Sequence, residues 1–376
     1  MKILVAGDLV PTENNKDRFA RKDFINCFDK EFSNIWNKAE IRIFNLECPL
    51  GENDNKIDKN GAILQANSNT INGIKSLKPN LILLSNNHIL DHGQEGLENT
   101  IRLLDENDIP YTGIIENSEK EYEVYYVEDG NIRIGIYNVC ENEFSVATSS
   151  TKGANPLNEI KNYFEIKKSK EKCDYLIVVF HGGKEFYRYP SPNCQRICRM
   201  FVDSGADLVI TQHSHCIGAE EDYRNGKILY GQGNFIFDNG VNDEFWNSAL
   251  LVELDISKQE MKVKYIPIEK HDGLIKISEN PNILDEFWDR KEKIKSPKFI
   301  NAQYEKFANE YINQYLAIVS KPTILKRIMN KISKKRYYLK RYNKKNLLKI
   351  LNIIECEAHR ELFIKGLKDV IGEKNV

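Results

Sequence analysis

Short polar motifs stand at the ends of five apolar runs, and this arrangement constrains the fold of the chain more than any other feature of its sequence. The motifs are, in chain order, Gly7-Asp8, Asn45-Leu46-Glu47, Asn86-Asn87-His88 with Asp91, His181-Gly182-Gly183 with Glu185, and His213-Ser214-His215. Four of the seven histidines of the chain lie in them. A single histidine beside a strand is usually a core residue whose ring is hydrogen-bonded to its neighbours. Five polar motifs that each follow an apolar run instead predict that their side chains meet at one place.

The apolar runs that precede these motifs are predicted to be buried strands. Asp8 follows KILVAG, Glu47 follows IRIFNL, and His181 follows YLIVVF. In open α/β sheets the carboxyl ends of the strands lie at one edge, where loops project side chains into a shared crevice. Because every motif occupies the same end of its predicted strand, the fold can bring all of them together.

Short apolar strands alternate with helical stretches over the front two-thirds of the chain, which predicts an α/β domain with a largely parallel sheet. The strands between residues 227 and 267 are joined by short links and are predicted to be antiparallel. This mixed order favours two sheets packed as a sandwich and flanked by helices. From residue 281 onward the strands cease, and helices are predicted at 281–293, 299–319, 322–341 and 345–371.

The C-terminal helical region contains a strongly basic segment. Residues 321–349 carry twelve Lys or Arg and no acid, so the net charge of −1 leaves −13 for the remainder of the chain. Ile328, Ile332 and Leu339 recur at near-helical spacing among these charges. A solvated helical face, a docking surface for an anionic membrane or an anionic polymer, and a nucleic-acid surface all fit this pattern. Nucleic acid is the least favoured partner, because no recognisable reader motif accompanies the charge.

The overall composition is that of a soluble globular protein, with 41% hydrophobic and 29% charged residues. No apolar run approaches the ~20 residues of a membrane helix, and the start MKILVAGD is too short for a signal-peptide core. We therefore expect a cytoplasmic protein, peripheral at the inner membrane face if the basic segment binds lipid. The eight cysteines include no CxxC pair and are expected to be reduced. The polar stretch at 52–60 is predicted to be a surface loop.

The motif side chains have the chemistry of a divalent-metal site. Carboxylate, amide oxygen and imidazole together suit Mn, Fe or Zn better than Ca²⁺. Two ions about 3.5–4 Å apart could orient a substrate oxygen and lower the pKa of a bridging water. The sequence thus predicts one or two divalent metal ions at the strand ends.

The later motifs resemble a known family when they are taken in order. HGGKE at 181–185, ITQHSH at 210–215 and YGQGNFIFD at 230–238 are similar to the bacterial CapA family of poly-γ-glutamate capsule synthesis, which belongs to the calcineurin-like metallophosphoesterase superfamily. The resemblance covers about residues 1–240 and is closest over 205–238. It implies a metallophosphatase-like four-layer αββα sandwich over residues 1–275, followed by the basic helical extension at 281–376.

The resemblance also implies roles for individual residues. The implied metal ligands are Asp8, Glu47 and His215 for a first ion, and Glu47, Asn87, His181 and His213 for a second ion. His88 would be the general acid and Asp91 would orient its ring, while Glu185 would be a proton shuttle, a substrate anchor or only a surface acid. Side chains that would line or brace the crevice are Asn45, Glu221 and Asn234.

The first motif departs from the superfamily pattern. Phosphoesterases of the superfamily usually continue it as Asp-x-His, whereas this chain has Asp8-Leu9-Val10, as CapA-like proteins do. The first ion would therefore have only three protein ligands, of which Glu47 is shared. Glu47 itself stands where an aspartate is customary, so its carboxylate reaches one methylene further.

Three functions fit these residues. The first is a hydrolase-type enzyme acting on an amide- or phosphate-containing intermediate of capsule or surface-polymer biosynthesis. The second is a metal-dependent peptide epimerase that uses the same site, with His88 and Glu185 flanking the substrate. The third is a non-catalytic, polymer-binding component of a capsule assembly complex. The sequence predicts no particular oligomeric state.

Overall fold

The structure is a computed structural model that describes residues 1–22, 24–238, 243–271, 274–320 and 323–371. Its strands are β1 (Lys2–Val10), β2 (Ile41–Leu46), β3 (Leu81–Leu83), β4 (Tyr111–Thr112), β5 (Ile114–Ile115), β6 (Tyr125–Asp129), β7 (Ile132–Cys140), β8 (Gly153–Ala154), β9 (Tyr175–His181), β10 (Leu208–Gln212), β11 (Ile217–Tyr223), β12 (Gly226–Gln232), β13 (Asn234–Phe237), β14 (Ser248–Ile256), β15 (Met261–His271) and β16 (Leu274–Ile277). Its α-helices are α1 (Lys16–Ala20), α2 (Lys30–Lys38), α3 (Ile71–Ser76), α4 (Gly93–Glu106), α5 (Glu159–Lys170), α6 (Pro192–Asp203), α7 (Glu244–Asn247), α8 (Asn282–Lys293), α9 (Pro297–Val319), α10 (Ile324–Ile332), α11 (Tyr337–Arg341), α12 (Lys344–Glu355) and α13 (Glu357–Ile371).

Two mixed sheets carry most of these strands. The larger sheet has the order β16-β15-β14-β1-β2-β3-β4, and β13 also pairs with β1. Its strands β1 to β4 are parallel, while β14 to β16 are antiparallel. The second sheet has the order β11-β12-β10-β9-β7-β6, with parallel central strands and antiparallel edges.

The predicted antiparallel run at 227–267 is only partly correct. Strands β14 and β15 are antiparallel neighbours, as expected. Strand β12 instead belongs to the second sheet and runs parallel to β10. The chain crosses to the larger sheet at β13, which pairs parallel with β1. Short links alone did not reveal this change of sheet, because a short connection can also join strands of two packed layers.

Alternating side chains of the strands divide the first part of the protein into four layers. Ile3 and Val5 of β1 pack with Ile177 and Val179 of β9 in an apolar cluster between the two sheets. The opposite face of the larger sheet packs on helices that include α2 and α4. The opposite face of the second sheet packs on α5 and α6. This helix–sheet–sheet–helix order is the predicted αββα sandwich, and the fold prediction is confirmed.

The compact first unit extends to Ile300, beyond the predicted domain end at residue 275. Helix α8, which was assigned to the C-terminal extension, belongs to this unit. Phe287 is completely buried in the cluster between the sheets, and Arg290 Nε donates to the carbonyl oxygen of Gly218 at 2.7 Å. The break in strand pattern near residue 281 therefore marks a change of secondary structure and not a change of compact unit.

The second unit covers residues 301–376 and is helical where it is described. Among its described residues, those with little exposure are Asn313, Leu316 and Tyr338. The single helix predicted at 322–341 is wrong, although residues 321 and 322 lie outside the described residues. The chain forms α10 and α11 instead, because Lys334 and Lys335 adopt φ of 53° and 61°, a left-handed conformation that ends a helix. Among the described helices, none has the length and apolar character required to cross a membrane.

Candidate metal centre

The carboxyl ends of strands from both sheets bring the predicted ligands together. Asp8 lies in β1 opposite Asn45 of β2, and Glu47 follows β2 directly. In the second sheet His181 ends β9 and is in register with Gln212, the last residue of β10. The segment from His213 to His215 follows β10, and the segment from Asn86 to His88 follows β3. The parallel register thus places side chains that are far apart in sequence at one common edge.

Two groups of buried side chains at this edge could each hold a cation. One group consists of Glu47, His181 and His213, and the other consists of Asp8, Glu47 and His215. Within each group the candidate ligand atoms all lie within 4.8 Å of one another. Glu47 belongs to both groups, so the two groups share one carboxylate.

Three candidate ligand atoms converge on Nε2 of His181. Asn87 Oδ1 lies at 3.0 Å, Glu47 Oε1 at 3.2 Å and His213 Nδ1 at 3.2 Å from this nitrogen. One proton can satisfy only one of these contacts at a time. A cation coordinated by all four side chains would satisfy them together. The group therefore suits a metal better than a simple hydrogen-bond network.

The carboxylate of Glu47 supports the same conclusion. The side chain is completely buried, and apart from the contact of Oε1 with His181 Nε2 at 3.2 Å its carboxylate oxygens have no polar partner within hydrogen-bonding geometry among the described residues. An unsatisfied buried carboxylate carries a large desolvation cost unless a cation compensates it. Burial raises the pKa of Glu47, but the imidazoles of His181 and His215 outweigh this and lower it to about 2. The residues present thus fit a divalent metal.

Of the remaining pKa directions in the metal-free site, only that of His213 favours the coordinating form of the side chain. Burial, followed by repulsion from His181 and His215, holds the pKa of His213 well below its ordinary value, which keeps its ring neutral. Burial opposes protonation of His181, but the neighbouring Glu47 carboxylate raises the pKa of its ring overall. Burial and the Glu47 carboxylate raise the pKa of Asp8. A bound cation would reverse the last effect, because it favours the ionised carboxylate.

The ligand group around Asp8 is sparser than the group around His181. Asp8 Oδ2 lies 3.8 Å from His215 Nδ1 and accepts from the His213 backbone nitrogen at 3.3 Å. Val10, at the position where the superfamily usually has a histidine, is buried in the apolar cluster on the outer side of the larger sheet. The first motif therefore contributes no histidine to the group of Asp8, Glu47 and His215.

Two asparagines predicted to brace the crevice contact candidate ligands. Asn45 Nδ2 donates to Asp8 Oδ1 at 2.8 Å, and Asn45 Oδ1 accepts from Asn86 Nδ2 at 3.0 Å. Asn234 Oδ1 lies 2.8 Å from Nδ1 of His215. Such contacts fix the orientation of a ligand and commonly tune metal affinity.

His88 and Asp91 form a buried pair beside the ligand groups. The Nδ1 atom of His88 lies 2.6 Å from Asp91 Oδ2, which also accepts from the Leu64 backbone nitrogen at 2.7 Å. Lys59, in the predicted surface loop at 52–60, forms an ion pair with the other oxygen of Asp91, and its side chain is only 2% exposed. Sequence reasoning missed Lys59, because one lysine in a polar loop carries no signal of burial.

Two predicted acids lie apart from the ligand groups. The Glu185 side chain is 40% exposed and lies 3.9 Å from Lys184 Nζ, which suits the surface-acid interpretation. Glu221 accepts from Arg199 Nε at 2.9 Å and from the Tyr230 hydroxyl at 2.6 Å. Tyr230 belongs to the cluster on the outer face of the second sheet. The expectation that Glu221 lines the crevice is therefore wrong, because its side chain points to the α6 side of the sheet.

Glu141 and Lys270 lie near the ligands and were also missed. Glu141 follows β7, and its Oε1 lies 3.6 Å from His213 Nε2. The rule that found the other motifs, a polar residue directly after a predicted strand, applies to it as well. Lys270 Nζ donates to the Asn234 carbonyl at 2.6 Å, and burial lowers its pKa to about 7. Lys270 lies inside the long strand β15 and not after a strand, so the same rule does not select it.

A cavity of about 260 Å³ is lined in part by Lys270. None of the candidate ligands described above lines it, but the hydrogen bond of Lys270 to the Asn234 carbonyl connects its lining to the residue that contacts His215. Its charged lining side chains are Arg188, Lys270, Lys276 and Arg290 against Glu269 and Glu286. Burial and then the charge of Arg188 lower the pKa of Arg290. Lys276 pairs with Glu269 and Arg290 pairs with Glu286, and burial lowers the pKa of Lys270 to about 7, so the net positive charge of the cavity comes mainly from Arg188. This charge suits an anionic group.

A buried carboxylate–imidazole–amide cluster at the strand ends of an αββα sandwich defines a metallophosphatase-like class of protein. Within this class the chain belongs to the family described as bacterial capsule synthesis protein PGA_cap, whose model matches residues 2–239. The fold and the family expected from the motifs are both confirmed.

Two of the similar proteins come from bacilli. The chain is 30% identical over 206 residues to the capsule biosynthesis protein CapA of Bacillus anthracis, covering 52% of this chain and 50% of the relative. It is 25% identical over 245 residues to the PGA biosynthesis protein CapA of Bacillus subtilis (strain 168), covering 64% of each. The chain thus spans between half and two-thirds of the length of these relatives.

Similar solved structures are much more distant in sequence. A hypothetical protein from Thermus thermophilus is 11% identical with a TM-score of 0.44, covering 72% of this chain and 100% of the other. Vps29 from Chaetomium thermophilum is 14% identical with a TM-score of 0.29, covering 74% and 93%.

Proposed function

We propose that the protein is a metal-dependent, hydrolase-type enzyme acting on an amide- or phosphate-containing intermediate of capsule or surface-polymer biosynthesis. The observation that carries the proposal is Glu47, a fully buried carboxylate that belongs to both ligand groups and whose nearest polar partner is another candidate ligand, His181. Membership in a capsule synthesis family supports the substrate class.

The contacts support the following ligand roles. Glu47, Asn87, His181 and His213 would hold one divalent ion, of Mn, Fe or Zn. Asp8, Glu47 and His215 would hold a second ion with fewer ligands. Such an ion supplies Lewis-acid polarisation of a carbonyl or phosphoryl oxygen. Asn45 and Asn234 keep Asp8 and His215 oriented through the hydrogen bonds described above.

His88 delivers the proton to the leaving group. Asp91 contacts Nδ1 of the His88 ring, so Nε2 is the nitrogen that is left to hold or release a proton. Lys59 neutralises Asp91 and holds this pair in place. The cationic cavity lined by Lys270 and Arg290 binds an anionic group of the same polymer. A polyanion such as a glutamyl chain has the matching charge.

Elemental analysis combined with an activity assay tests the proposal. We expect stoichiometric transition metal in the full-length protein and hydrolysis of a γ-glutamyl amide or a phosphodiester. The His181→Ala variant should lose both metal and activity. The His88→Gln variant should keep the metal but lose about 10²–10⁴-fold in rate, the usual contribution of a general acid. Glu98→Gln, at an exposed acid on α4, is the matched control.

The two alternative functions give different results in the same experiment. Deuterium exchange from solvent into a peptide substrate, without hydrolysis, would favour the epimerase. The second proton-transfer group proposed for that reaction, Glu185, lies beside Lys184 and is partly exposed, which does not support it. Normal function of His181→Ala in the producing cell would favour a non-catalytic polymer-binding component, and would remove the enzyme proposal.

A further inference from the structure

Helix α10 has an unusually segregated surface. Its apolar side chains are all exposed, by 43% to 79%, and are Ile324, Leu325, Ile328, Met329 and Ile332. At 3.6 residues per turn these five positions fall within an arc of about 140°. The basic side chains Lys326, Arg327 and Lys331 lie on the rest of the helix. We call the five apolar side chains the α10 face.

Helix α12 repeats this combination, whereas α13 repeats only the exposed apolar side chains, because its acidic and basic residues are equal in number. On α12, Leu348, Leu351 and Ile354 are 45% to 56% exposed, and Lys344 and Lys345 stand in its first turn. On α13, exposed apolar side chains include Leu362, Phe363 and Leu367, at 48% to 72%. Scattered exposed leucines are ordinary, but a continuous apolar strip along a helix marks a surface that binds something apolar.

The charge of the region selects the kind of partner. Twelve Lys or Arg and no acid occupy residues 321–349, so the partner should be anionic. A soluble polyanion or a nucleic acid would satisfy this charge but offers no apolar phase for the α10 face. A second copy of the chain would cover the apolar side chains but would bring the same twelve positive charges close together. The headgroup region of an anionic bilayer offers both negative charge and an apolar interior.

We propose that the α10 face inserts into the headgroup–acyl boundary of an anionic membrane, with the surrounding Lys and Arg side chains on the lipid phosphates. The helix lies in the plane of the membrane surface and does not cross it. Thr323 begins the helix by accepting from the Lys326 backbone nitrogen at 3.3 Å. Lys326 Nζ also donates to the Ser320 carbonyl at 3.0 Å, which connects α10 to the end of α9. This proposal is independent of the enzymatic one.

Vesicle sedimentation of the full-length protein tests the proposal. We expect sedimentation with phosphatidylglycerol–phosphatidylcholine vesicles at about 0.15 M salt and little with pure phosphatidylcholine, since screening is incomplete at this ionic strength. Replacing Ile328 and Ile332 by serine preserves every charge and should weaken binding at least about tenfold, because apolar area is lost from the bilayer. Replacing Lys326, Arg327 and Lys331 by alanine should weaken it as well and reduce its dependence on salt.

A matched control tests whether vesicle binding depends on the lysines and arginine of α10 or on any exposed lysine of the protein. Lys262 and Lys295, exposed lysines of the first unit, are replaced by alanine, and binding should be unchanged. Circular dichroism of each variant checks that helix content is preserved.

Three outcomes would overturn the proposal. The first is binding of soluble polyglutamate at the basic segment without binding of anionic vesicles. The second is a dimer that Ile328→Ser with Ile332→Ser dissociates, again without vesicle binding. The third is vesicle binding that this double variant leaves unchanged, since a purely electrostatic attachment does not use the α10 face.

Discussion

The ligand groups of the first unit and the α10 face of the second unit both reverse the usual rule of burial. In the first unit, ionisable side chains such as Glu47 and His181 are almost completely buried. On α10, isoleucines such as Ile324 and Ile332 are 79% and 71% exposed. Each arrangement has a cost in the isolated molecule, because buried charge loses hydration and exposed apolar surface orders water.

The difference between the two regions lies in what would remove that cost. A small cation can compensate the buried carboxylate inside a rigid sandwich that already positions its ligands. The α10 face needs an extended apolar partner, and the unit that carries it has few buried side chains among those described. The comparison therefore predicts a preformed site in the first unit and a surface that depends on its partner in the second.

The largest effect should come from the core that supports the ligand edge. Phe235, next to Asn234, is completely buried, and its ring stacks on Trp36 at 5.2 Å. We expect Phe235→Ala to lower the free energy of unfolding of the first unit by about 3–5 kcal/mol. Ile332→Ala on α10 should change the free energy of unfolding of the second unit by no more than about 0.5 kcal/mol. Urea unfolding followed by tryptophan fluorescence reports on the first unit, which holds all three tryptophans, and circular dichroism reports on the helical second unit. Equal effects would remove the contrast between the regions.

Metal binding should stabilise the first unit by a comparable amount. At a free metal concentration about 1,000-fold above Kd, the native state gains about 4 kcal/mol. Thermal unfolding with Mn²⁺ or Zn²⁺, compared with a chelator, should show this gain in the native protein and in the Glu98→Gln control. It should vanish in Glu47→Gln, because both ligand groups lose their shared carboxylate. A full gain in that variant would mean that the metal binds elsewhere.

Replacing a side chain that only orients a ligand should have a smaller effect on metal binding. Such a substitution should also distinguish the two ligand groups, because it affects only one of them. Asn234→Ala removes the partner of His215 and should weaken binding of the ion held by Asp8 about 10–100-fold. The binding at His181 should be nearly unaffected. Metal titration followed by calorimetry resolves the two events, and a uniform weakening of both would indicate a general loss of structure.

The smallest effect concerns the metal-free protein, where the two carboxylates should behave oppositely. The folded-state pKa of Asp8 is raised, so its ionised form costs stability at neutral pH, and Asp8→Asn should stabilise the chelated protein. The folded-state pKa of Glu47 is lowered to about 2, so its contribution is present above pH ~4.5 and is lost as pH falls toward 2. Glu47→Gln should therefore destabilise at neutral pH. We expect changes of opposite sign in the two variants, measured by denaturant titration from pH 7 to 3. A change in stability of the same sign in both variants would contradict the opposite pKa shifts of Asp8 and Glu47.

Much of the site was predictable because its chemistry is local to strand ends. The strand-then-polar pattern selected Asp8, Glu47, His181, His213 and His215, and the structure brings all five together. The same pattern should have selected Glu141, which follows β7. Glu221 could not be placed from sequence, because a strand residue faces either side of a sheet according to the register that the whole sheet adopts.

The sequence by itself determined the apolar strands that carry the motifs, such as β1, β2 and β9, the helical C-terminal region, the family motifs and the basic, amphipathic character of α10. These are properties of neighbouring residues, which periodicity and spacing express directly. Only the tertiary structure decided that Lys59 is buried on Asp91, that Lys270 reaches Asn234, and that α8 belongs to the first unit. The physical reason is that burial and ion pairing depend on side chains brought together from distant parts of the chain, and no local pattern contains that information.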